Sequence, residues 1–289
     1  MTISAFANGH KERLVDRYAV FGHPISHSRS PWIHSHFAQQ TGQPLLYTAV
    51  DVNPESFESA VLEFFADGGR GLNITVPFKE RACAMAETCS SEVAISGAAN
   101  TLYVNSMGAL CAENTDGHGL LADLQENHGA VLVNARILLL GAGGAVRGVL
   151  PALLSQSPQQ ICILNRSPDK ARLLAEQFNG ETEVMAINPE SRQSGGFDFI
   201  INGTSAGLGG EVPRVPVGAL TKDTWCYDMM YGRGETAFQK WARLAGARKS
   251  LDGAGMLVEQ AARAFAIWRG SKPQTEAVIA LLRKELSAP

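Results

Sequence analysis

Short apolar runs alternate with segments in which apolar residues recur every three or four positions, from Tyr18 to the C-terminus. This alternation is typical of an α/β protein with largely parallel sheets. In the first part of the chain it predicts strands over 18–22, 47–52 and 71–76, each followed by a helix. A turn-rich quartet at 105–108 then separates two short apolar runs and predicts a hairpin over 101–104 and 109–112.

A second series of apolar runs predicts a doubly wound sheet of its own. Its strands are expected over 137–140, 161–164, 184–187, 199–201 and 225–228, and a further short strand over 248–251 precedes the last helices. Pro151 falls inside the first helix of this series and predicts a bend near Gly148. Two amphipathic helices over 256–268 and 274–286 end the chain, and their pattern alone does not assign them to either sheet.

Composition narrows the class of partner. At 289 residues the chain is long enough for two domains, and a hydrophobic content of 45% supplies a sizeable core. A formal net charge of −3 argues against nucleic acid or a membrane surface, and no run approaches the roughly 20 apolar residues of a membrane span. We expect a small-molecule partner, with monomer and homodimer both open.

The cysteines and the first residues of the chain indicate the cellular compartment in which the protein is expected. The five cysteines include no C-x-x-C pair, which favours reduced thiols, and residues 1–17 lack the apolar core of a secretory signal. We therefore expect a cytoplasmic protein with a poorly ordered lead-in over 1–12. The histidines near the N-terminus have no carboxylate or cysteine at ligand spacing, so no metal site is predicted.

A glycine-rich loop follows the buried run 137–140 and precedes a helix. Gly141, Ala142, Gly143, Gly144 and Ala145 form it, and in that context the glycines let backbone N–H groups approach a pyrophosphate. The third glycine of the usual dinucleotide pattern is replaced by Val146. The loop therefore predicts a dinucleotide site, although a tight turn without a ligand remains open.

The end of the next strand bears on which dinucleotide binds. An NAD site usually places an acidic residue there, whereas this chain has Asn165, Arg166 and Ser167, with Lys170 one turn later. Basic side chains suit a 2′-phosphate, so NADP is favoured over NAD. The alternative is that Arg166 and Lys170 are solvated charges around a helix capped by Ser167.

Polar side chains also follow strands of the first sheet. Ser28 and Ser30 come after the first strand, and Asn73, Thr75 and Lys79 surround the end of the third. Such groups suit a small polyhydroxylated acid. Asp116 on its own is most simply a helix cap, but Lys79 beside Asp116 would form a pair able to hold and relay a hydroxyl proton.

Nine sequence strings then occur in a recognisable order. They are GHPISHSRSP, GLNITVPFK, GAANTL, NTDGHG, GAGGA, NRS, NGTSAG, YDMMY and DGAGMLVEQA. Together they resemble the shikimate dehydrogenase family over about 270 residues, and nine strings in order are far more specific than one. The resemblance implies an α/β enzyme with an N-terminal substrate domain and a Rossmann-like NADP domain. The implied reaction is reversible NADPH-dependent reduction of 3-dehydroshikimate to shikimate, on the route to chorismate and aromatic amino acids.

The resemblance also implies roles for individual residues. Lys79 and Asp116 match the catalytic pair. Matches to the substrate contacts are Ser28, Ser30, Asn73, Thr75, Asn100, Tyr231 and Gln260. Matches to the cofactor contacts are Gly141, Ala142, Gly143, Gly144, Ala145, Asn165, Arg166, Ser167, Lys170, Met229 and Gly253. The final helices would return to the first domain, which gives a substrate domain of 1–115 plus 253–289 and an NADP domain of 116–252.

Two rival functions follow from the same residues. Quinate-using relatives tend to carry threonine at the position of Ser30 and an acid near Arg166, so both residues favour shikimate. A non-catalytic NADP-binding regulator is possible because a fold never fixes a function, but it has no chemical need for both Lys79 and Asp116. Lys170 stands where arginine is frequent in the family, which predicts weaker discrimination between the cofactors.

Overall fold

The computed structural model describes residues 15–204, 206 and 210–287, so the predicted lead-in over 1–12 lies outside the described residues. Two six-stranded sheets organise this part of the chain. The first contains β1 (Asp16–Gly22), β2 (Leu45–Asp51), β3 (Gly69–Ile74), β4 (Thr88–Cys89), β5 (Thr101–Val104) and β6 (Leu110–Glu113). Helices α1 (Ser30–Thr41), α2 (Phe57–Ala66), α3 (Lys79–Met85) and α4 (Ser91–Ser96) connect these strands, with a 3-10 turn before α2.

The first sheet is mixed. Its strand order is β2-β1-β3-β5-β6-β4, with β1 parallel to β2 and β3, and with β5 antiparallel to β3 and β6. The predicted hairpin is therefore confirmed as β5 and β6. Apolar side chains fill both faces of the sheet, because α2, α3 and α4 cover one face and α1 covers the other.

The second sheet is entirely parallel in its described pairings. Its strands are β7 (Arg136–Leu140), β8 (Gln160–Leu164), β9 (Glu183–Ala186), β10 (Phe199–Asn202), β11 (Trp225–Asp228) and β12 (Lys249–Leu251). Helices α6 (Gly144–Leu154), α7 (Pro168–Phe178) and α8 (Ala237–Leu244) accompany them. The order β12-β11-β10-β7-β8-β9 reverses direction between β7 and β10, which confirms the doubly wound prediction and creates a ligand-binding crevice at the strand ends.

Two helical segments join the sheets. Helix α5 (Asp116–Ala122) continues into a π-helical turn over Asp123–Asn127 before β7, and it packs on both α6 and α9 (Ala254–Arg269). Helix α9 and α10 (Glu276–Ser287) share an apolar cluster with α1, which includes Phe37, Phe265 and Leu282. This packing supports our proposed division of the chain at residue 253.

Prolines lie in the turn before one helix and inside another. Helix α3 begins at Lys79, because the Phe78 N–H donates to the Thr75 carbonyl at 2.9 Å and closes a turn that contains Pro77. Helix α6 runs through Pro151, and the bend expected near Gly148 stays a prediction. Across the described ranges, no helix is both long and apolar enough to cross a bilayer.

Candidate active site

A lysine and an aspartate form a nearly buried ion pair between the two sheets. The Lys79 ammonium donates to Asp116 Oδ2, and the two side chains are only 12% and 9% exposed. Each residue is the first of a helix, Lys79 in α3 and Asp116 in α5. Low exposure removes most of the solvent screening that weakens surface pairs. The structure therefore brings together the two residues that the sequence predicts as an acid–base pair.

The strand register of the first sheet explains why Lys79 and Asp116 lie close together. Asn73 near the end of β3 lies opposite Thr101 at the start of β5, and Thr101 lies opposite Glu113 at the end of β6. The chain leaves β3 and β6 at the same edge, and each exit leads within a few residues into a helix. Residues 75–79 and 114–116, which are distant in sequence, therefore share one end of the sheet.

Asn100 orients the carboxylate of this pair. Its Oδ1 accepts from the Thr115 backbone N–H at 2.8 Å, and its Nδ2 donates to Asp116 Oδ1 at 2.9 Å. A backbone N–H can only donate, so the contact with Thr115 fixes which end of the amide faces Asp116. Both oxygens of Asp116 are thus engaged by donors, Oδ2 by Lys79 and Oδ1 by Asn100.

Gln260 reaches the same network from α9. Its Oε1 lies 3.3 Å from both Asn100 Nδ2 and Thr115 Oγ1, while its Nε2 donates to the Leu257 carbonyl at 2.8 Å. A Cβ at Gly119 would lie 2.7 Å from the Gln260 Cβ, so the absent side chain permits the close approach of α5 and α9. Helix α9 therefore contributes to the site although it lies far away in sequence.

The other predicted substrate contacts follow strands of both sheets. Ser28 precedes α1, and its Oγ accepts from the Ser30 backbone N–H at 3.3 Å. Thr75 directly follows β3, whose end pairs with the end of β1. Tyr231 follows β11 of the second sheet and packs on the apolar cluster of α1 and α9. Tyr231 therefore brings a side chain that follows the second sheet against a helix of the first unit.

The glycine loop lies between β7 and α6, as predicted. Gly141 has φ +112°, a conformation that favours glycine, and Gly143 precedes the helix with no side chain capping its first turn. No atom lies within 4 Å of a Cβ built at Gly143, and a Cβ at Gly144 would lie 3.5 Å from the Lys79 Cβ. Uncapped N–H groups and open space fit a pyrophosphate, beside the stem of Lys79.

The basic segment follows β8. Arg166 and Lys170 are exposed, and neither forms an ion pair with any residue that the structure describes. Asn165 Nδ2 donates to the Ser167 carbonyl at 3.0 Å, and Ser167 precedes α7 with Pro168 at its first position. Two cations without carboxylate partners thus lie at the strand end where a 2′-phosphate would be held.

Met229 and Gly253 come together where β11 ends and α9 begins. A Cβ at Gly253 would lie 2.4 Å from the Met229 carbonyl oxygen, so only glycine allows this approach. The Met229 N–H donates to the Asn202 carbonyl at 2.9 Å. Met229 follows β11 and Gly253 follows β12, so both residues lie at the carboxyl edge of the second sheet.

Sequence reasoning missed a buried polar cluster at these strand ends. Asn202 Nδ2 donates to Asp228 Oδ1 at 3.0 Å, and Thr236 Oγ1 donates to Asp228 Oδ2 at 2.6 Å. Burial raises the pKa of the fully buried Asp228, against these hydrogen bonds. The aspartate of YDMMY and the asparagine of NGTSAG are the sequence features from which this cluster could have been predicted. Ser205 and Gly207 of NGTSAG lie outside the described residues.

Family models match most of the chain. The model of the shikimate dehydrogenase substrate binding domain matches residues 20–102, and that of shikimate / quinate 5-dehydrogenase matches residues 123–208. The model of the shikimate 5′-dehydrogenase C-terminal domain matches residues 253–283. The three matches follow the order of the two sheets and the final helices.

Curated relatives agree over nearly their whole length. The shikimate dehydrogenase (NADP(+)) of Alkalilimnicola ehrlichii is 52% identical over 272 residues, 94% of this chain and 100% of the relative. The protein of the same name from Marinobacter nauticus is 50% identical over 273 residues, 93% of this chain and 99% of the relative.

Solved structures show the same architecture. An Ael1 enzyme from Pseudomonas putida has a TM-score of 0.85 at 44% identity, covering 95% of this chain and 99% of its own. Shikimate 5-dehydrogenase from Thermus thermophilus, in complex with NADP(H) and shikimate, has a TM-score of 0.82 at 31% identity, covering 93% and 99%. With two sheets, an acid–base pair and a glycine loop in matching order, this chain belongs to the shikimate dehydrogenase family.

Proposed function

We propose that this protein catalyses the reversible reduction of 3-dehydroshikimate to shikimate with NADPH, as in the biosynthesis of chorismate and aromatic amino acids. The observation that carries the proposal is the Lys79–Asp116 pair, whose lysine stem lies against Gly144 of the glycine loop. Acid–base chemistry and a dinucleotide site thus meet at one point. The full-length similarity to NADP(+)-dependent relatives supports the same substrate and cofactor.

Lys79 moves the proton. NADPH supplies the hydride when it is bound, and reduction of a carbonyl also requires a proton on the carbonyl oxygen. The Lys79 ammonium carries three hydrogens, of which the contact with Asp116 uses one. A second hydrogen is available for the substrate oxygen, and in the reverse direction the neutral amine accepts the hydroxyl proton. Asp116 holds the lysine and orients the substrate hydroxyl.

The remaining substrate contacts follow from the chemistry of shikimate. Ser28 and Ser30 offer hydroxyl donors to the carboxylate at the start of α1, and Tyr231 offers a third from the second unit. Burial raises the pKa of Tyr231, which keeps its hydroxyl protonated as a donor. The ring hydroxyls require groups that both donate and accept. We assign this role to Thr75 and Gln260. Asn73 and Asn100, whose hydrogens are committed to protein acceptors, would form the wall that holds these contacts in place.

The geometry of the predicted cofactor residues fits the binding of NADPH. The loop from Gly141 to Ala145 would hold the pyrophosphate on the uncapped first turn of α6. Asn165, Arg166, Ser167 and Lys170 would hold the 2′-phosphate. Met229 and Gly253 would border the nicotinamide, since they lie at the strand ends facing the crevice.

The fold alone does not choose the substrate. A 5-ketofructose reductase from Gluconobacter shares it at a TM-score of 0.80 and 29% identity. Use of quinate with NAD is the nearest alternative, and Ser30 and Arg166 argue against it. We further propose a cytoplasmic location and a monomeric or homodimeric state.

The test is nicotinamide absorbance with purified protein, with shikimate or quinate combined with NADP or NAD. We expect turnover predominantly with shikimate and NADP. Turnover mainly with quinate and NAD would favour the alternative, and no turnover by folded protein in any combination would favour the regulator.

A variant tests the cofactor assignment separately. Arg166→Ala should raise KM for NADPH by roughly 10-fold and leave KM for NADH nearly unchanged, because only NADPH carries the 2′-phosphate. Arg172→Ala is the matched control, since Arg172 is an exposed arginine in α7 paired with Glu176. Equal losses with both cofactors would make Arg166 a structural residue.

A further inference from the structure

A buried threonine next to the site has a hydroxyl that is fully committed to two amides. Thr101 is 0% exposed and begins β5, directly opposite Asn73 of β3. Its Oγ1 accepts from Asn73 Nδ2 at 3.1 Å and donates to Asn100 Oδ1 at 2.9 Å. A hydroxyl has a single hydrogen, so these two contacts have one consistent direction.

The hydrogen bonds continue on both sides of Thr101. Tyr47 donates from its hydroxyl to Asn73 Oδ1 at 2.7 Å, and burial raises the pKa of Tyr47, so it remains a donor. On the other side, Asn100 Nδ2 donates to Asp116 Oδ1 at 2.9 Å. One directed chain of hydrogen bonds therefore runs from Tyr47 through Asn73, Thr101 and Asn100 to Asp116.

The same contacts limit what the two asparagines can offer a ligand. Both hydrogens of Asn73 Nδ2 have acceptors, the Asn100 carbonyl at 3.2 Å and Thr101 Oγ1. Asn100 Nδ2 is within reach of three acceptors, Asp116, Thr115 and Gln260, and has only two hydrogens. Their main capacity is to hold neighbouring groups in place.

We infer that Thr101 is a positioning residue for the catalytic pair, acting by fixing the amide of Asn100 that orients Asp116. The inference rests on the proposed function, because the rate that Thr101 would affect is the rate of the proposed reaction. Without the hydroxyl, Asn73 Nδ2 loses an acceptor and Asn100 Oδ1 loses a donor inside a buried network. Such a network adjusts by moving its amides, and a shift of about 1 Å at a catalytic group can cost a large factor in rate.

The experiment compares Thr101→Val with Thr101→Ser. Valine keeps the shape and removes the hydroxyl, whereas serine keeps the hydroxyl and removes a methyl group. We expect Thr101→Val to lower kcat roughly 10-fold or more with little change in KM for NADPH, and Thr101→Ser to retain most of kcat.

Tyr47→Phe tests the chain from its other end. It removes the donor to Asn73 Oδ1, and its effect on kcat should be smaller than that of Thr101→Val and less than additive with it. Equal kcat for wild type and Thr101→Val, with Lys79→Ala inactive, would overturn the inference and leave the proposed function intact.

Crystal structures of the Thr101 variants test the inference independently of any activity measurement. A displaced or rotated Asn100 amide in Thr101→Val, restored in Thr101→Ser, supports it even if the wild type proves inactive on shikimate. An unmoved Asn100 and Asp116 in both variants would overturn it.

Discussion

At the scale of single residues, the site depends on which side chains have free hydrogen-bonding capacity. Asp116 has donors on both oxygens and Asn100 is fully engaged, whereas Lys79 has hydrogens left to give. This difference supports our proposal that Lys79 transfers the proton, while the carboxylate and the amide hold it in place.

Removal of the Lys79 ammonium should abolish most turnover. Lys79→Ala is expected to lower kcat by about 10²-fold or more with little change in KM for shikimate, because an acid–base group acts in the transition state. Lys284→Ala in α10, an exposed lysine, is the control and should behave as wild type. Steady-state kinetics measure both, and an unchanged kcat in Lys79→Ala would remove the lysine from the mechanism.

His34 predicts a dependence of stability on pH. It is completely buried against Tyr47, with ring centroids 4.1 Å apart, and neither ring nitrogen has a partner among the residues described. Burial lowers the pKa of His34 to about 3. The unfolded chain then binds the extra proton between about pH 6.5 and 3, so the folding free energy weakens as pH falls through that window, by up to about 1.4 kcal/mol per unit.

Replacement of His34 tests this directly. His34→Phe should flatten the pH dependence of the unfolding free energy between about pH 6.5 and 4, whereas His27→Phe at an exposed position should keep it. Urea unfolding at a series of pH values gives the comparison. Parallel curves for all three proteins would show that His34 is not the group responsible.

At the scale of elements, glycines allow helices to approach buried polar groups where the two units join. Asp123, at the start of the π-helical turn, accepts from the Tyr227 hydroxyl at 2.7 Å and lies against the first turn of α9. A Cβ built at Gly255 would lie 1.9 Å from Asp123 Oδ1. Any side chain there must displace a completely buried carboxylate.

Gly255→Ala should therefore destabilise the protein by about 1–3 kcal/mol, the usual cost of overpacking. Gly180→Ala is the matched control, because a Cβ at Gly180 meets no atom within 4 Å. Denaturant unfolding measures both variants. Equal stability of the two would mean that α9 can shift away from Asp123 at little cost.

At the scale of the whole molecule, the site is divided between two units that the chain joins twice, through α5 and at the start of α9. Lys79 and Asp116 lie beside the first sheet, and the glycine loop, Met229 and Tyr231 follow strands of the second. Ligands that contact both sides favour a closed arrangement, in which water is excluded from the hydride transfer.

We therefore expect the radius of gyration to fall when shikimate and NADP are bound together, by small-angle scattering. Each ligand alone should give a smaller change, because it contacts mainly one unit. An identical scattering curve with and without both ligands would argue against closure.

Sequence alone determined much of this protein. Periodicity predicted the two α/β units and the hairpin. It could do so because the alternation of apolar and polar residues within an element depends only on which side of that element is buried. Strand-end chemistry pointed to Ser28, Ser30, Asn73, Thr75 and Lys79, and the glycine loop and Arg166 pointed to NADP. Asn100, Tyr231 and Gln260 were found only through resemblance to a family.

Tertiary structure decided what local patterns do not encode. The final helices pack on α1 because Phe265 of α9 and Leu282 of α10 join Phe37 of α1 in one apolar cluster, and no local signal specifies that partner. The role of Thr101 depends on the pairing of β3 with β5, which places its hydroxyl between two asparagines. From the sequence alone, a threonine in a strand indicates only a preference for strand structure, because its cross-strand neighbours are not known.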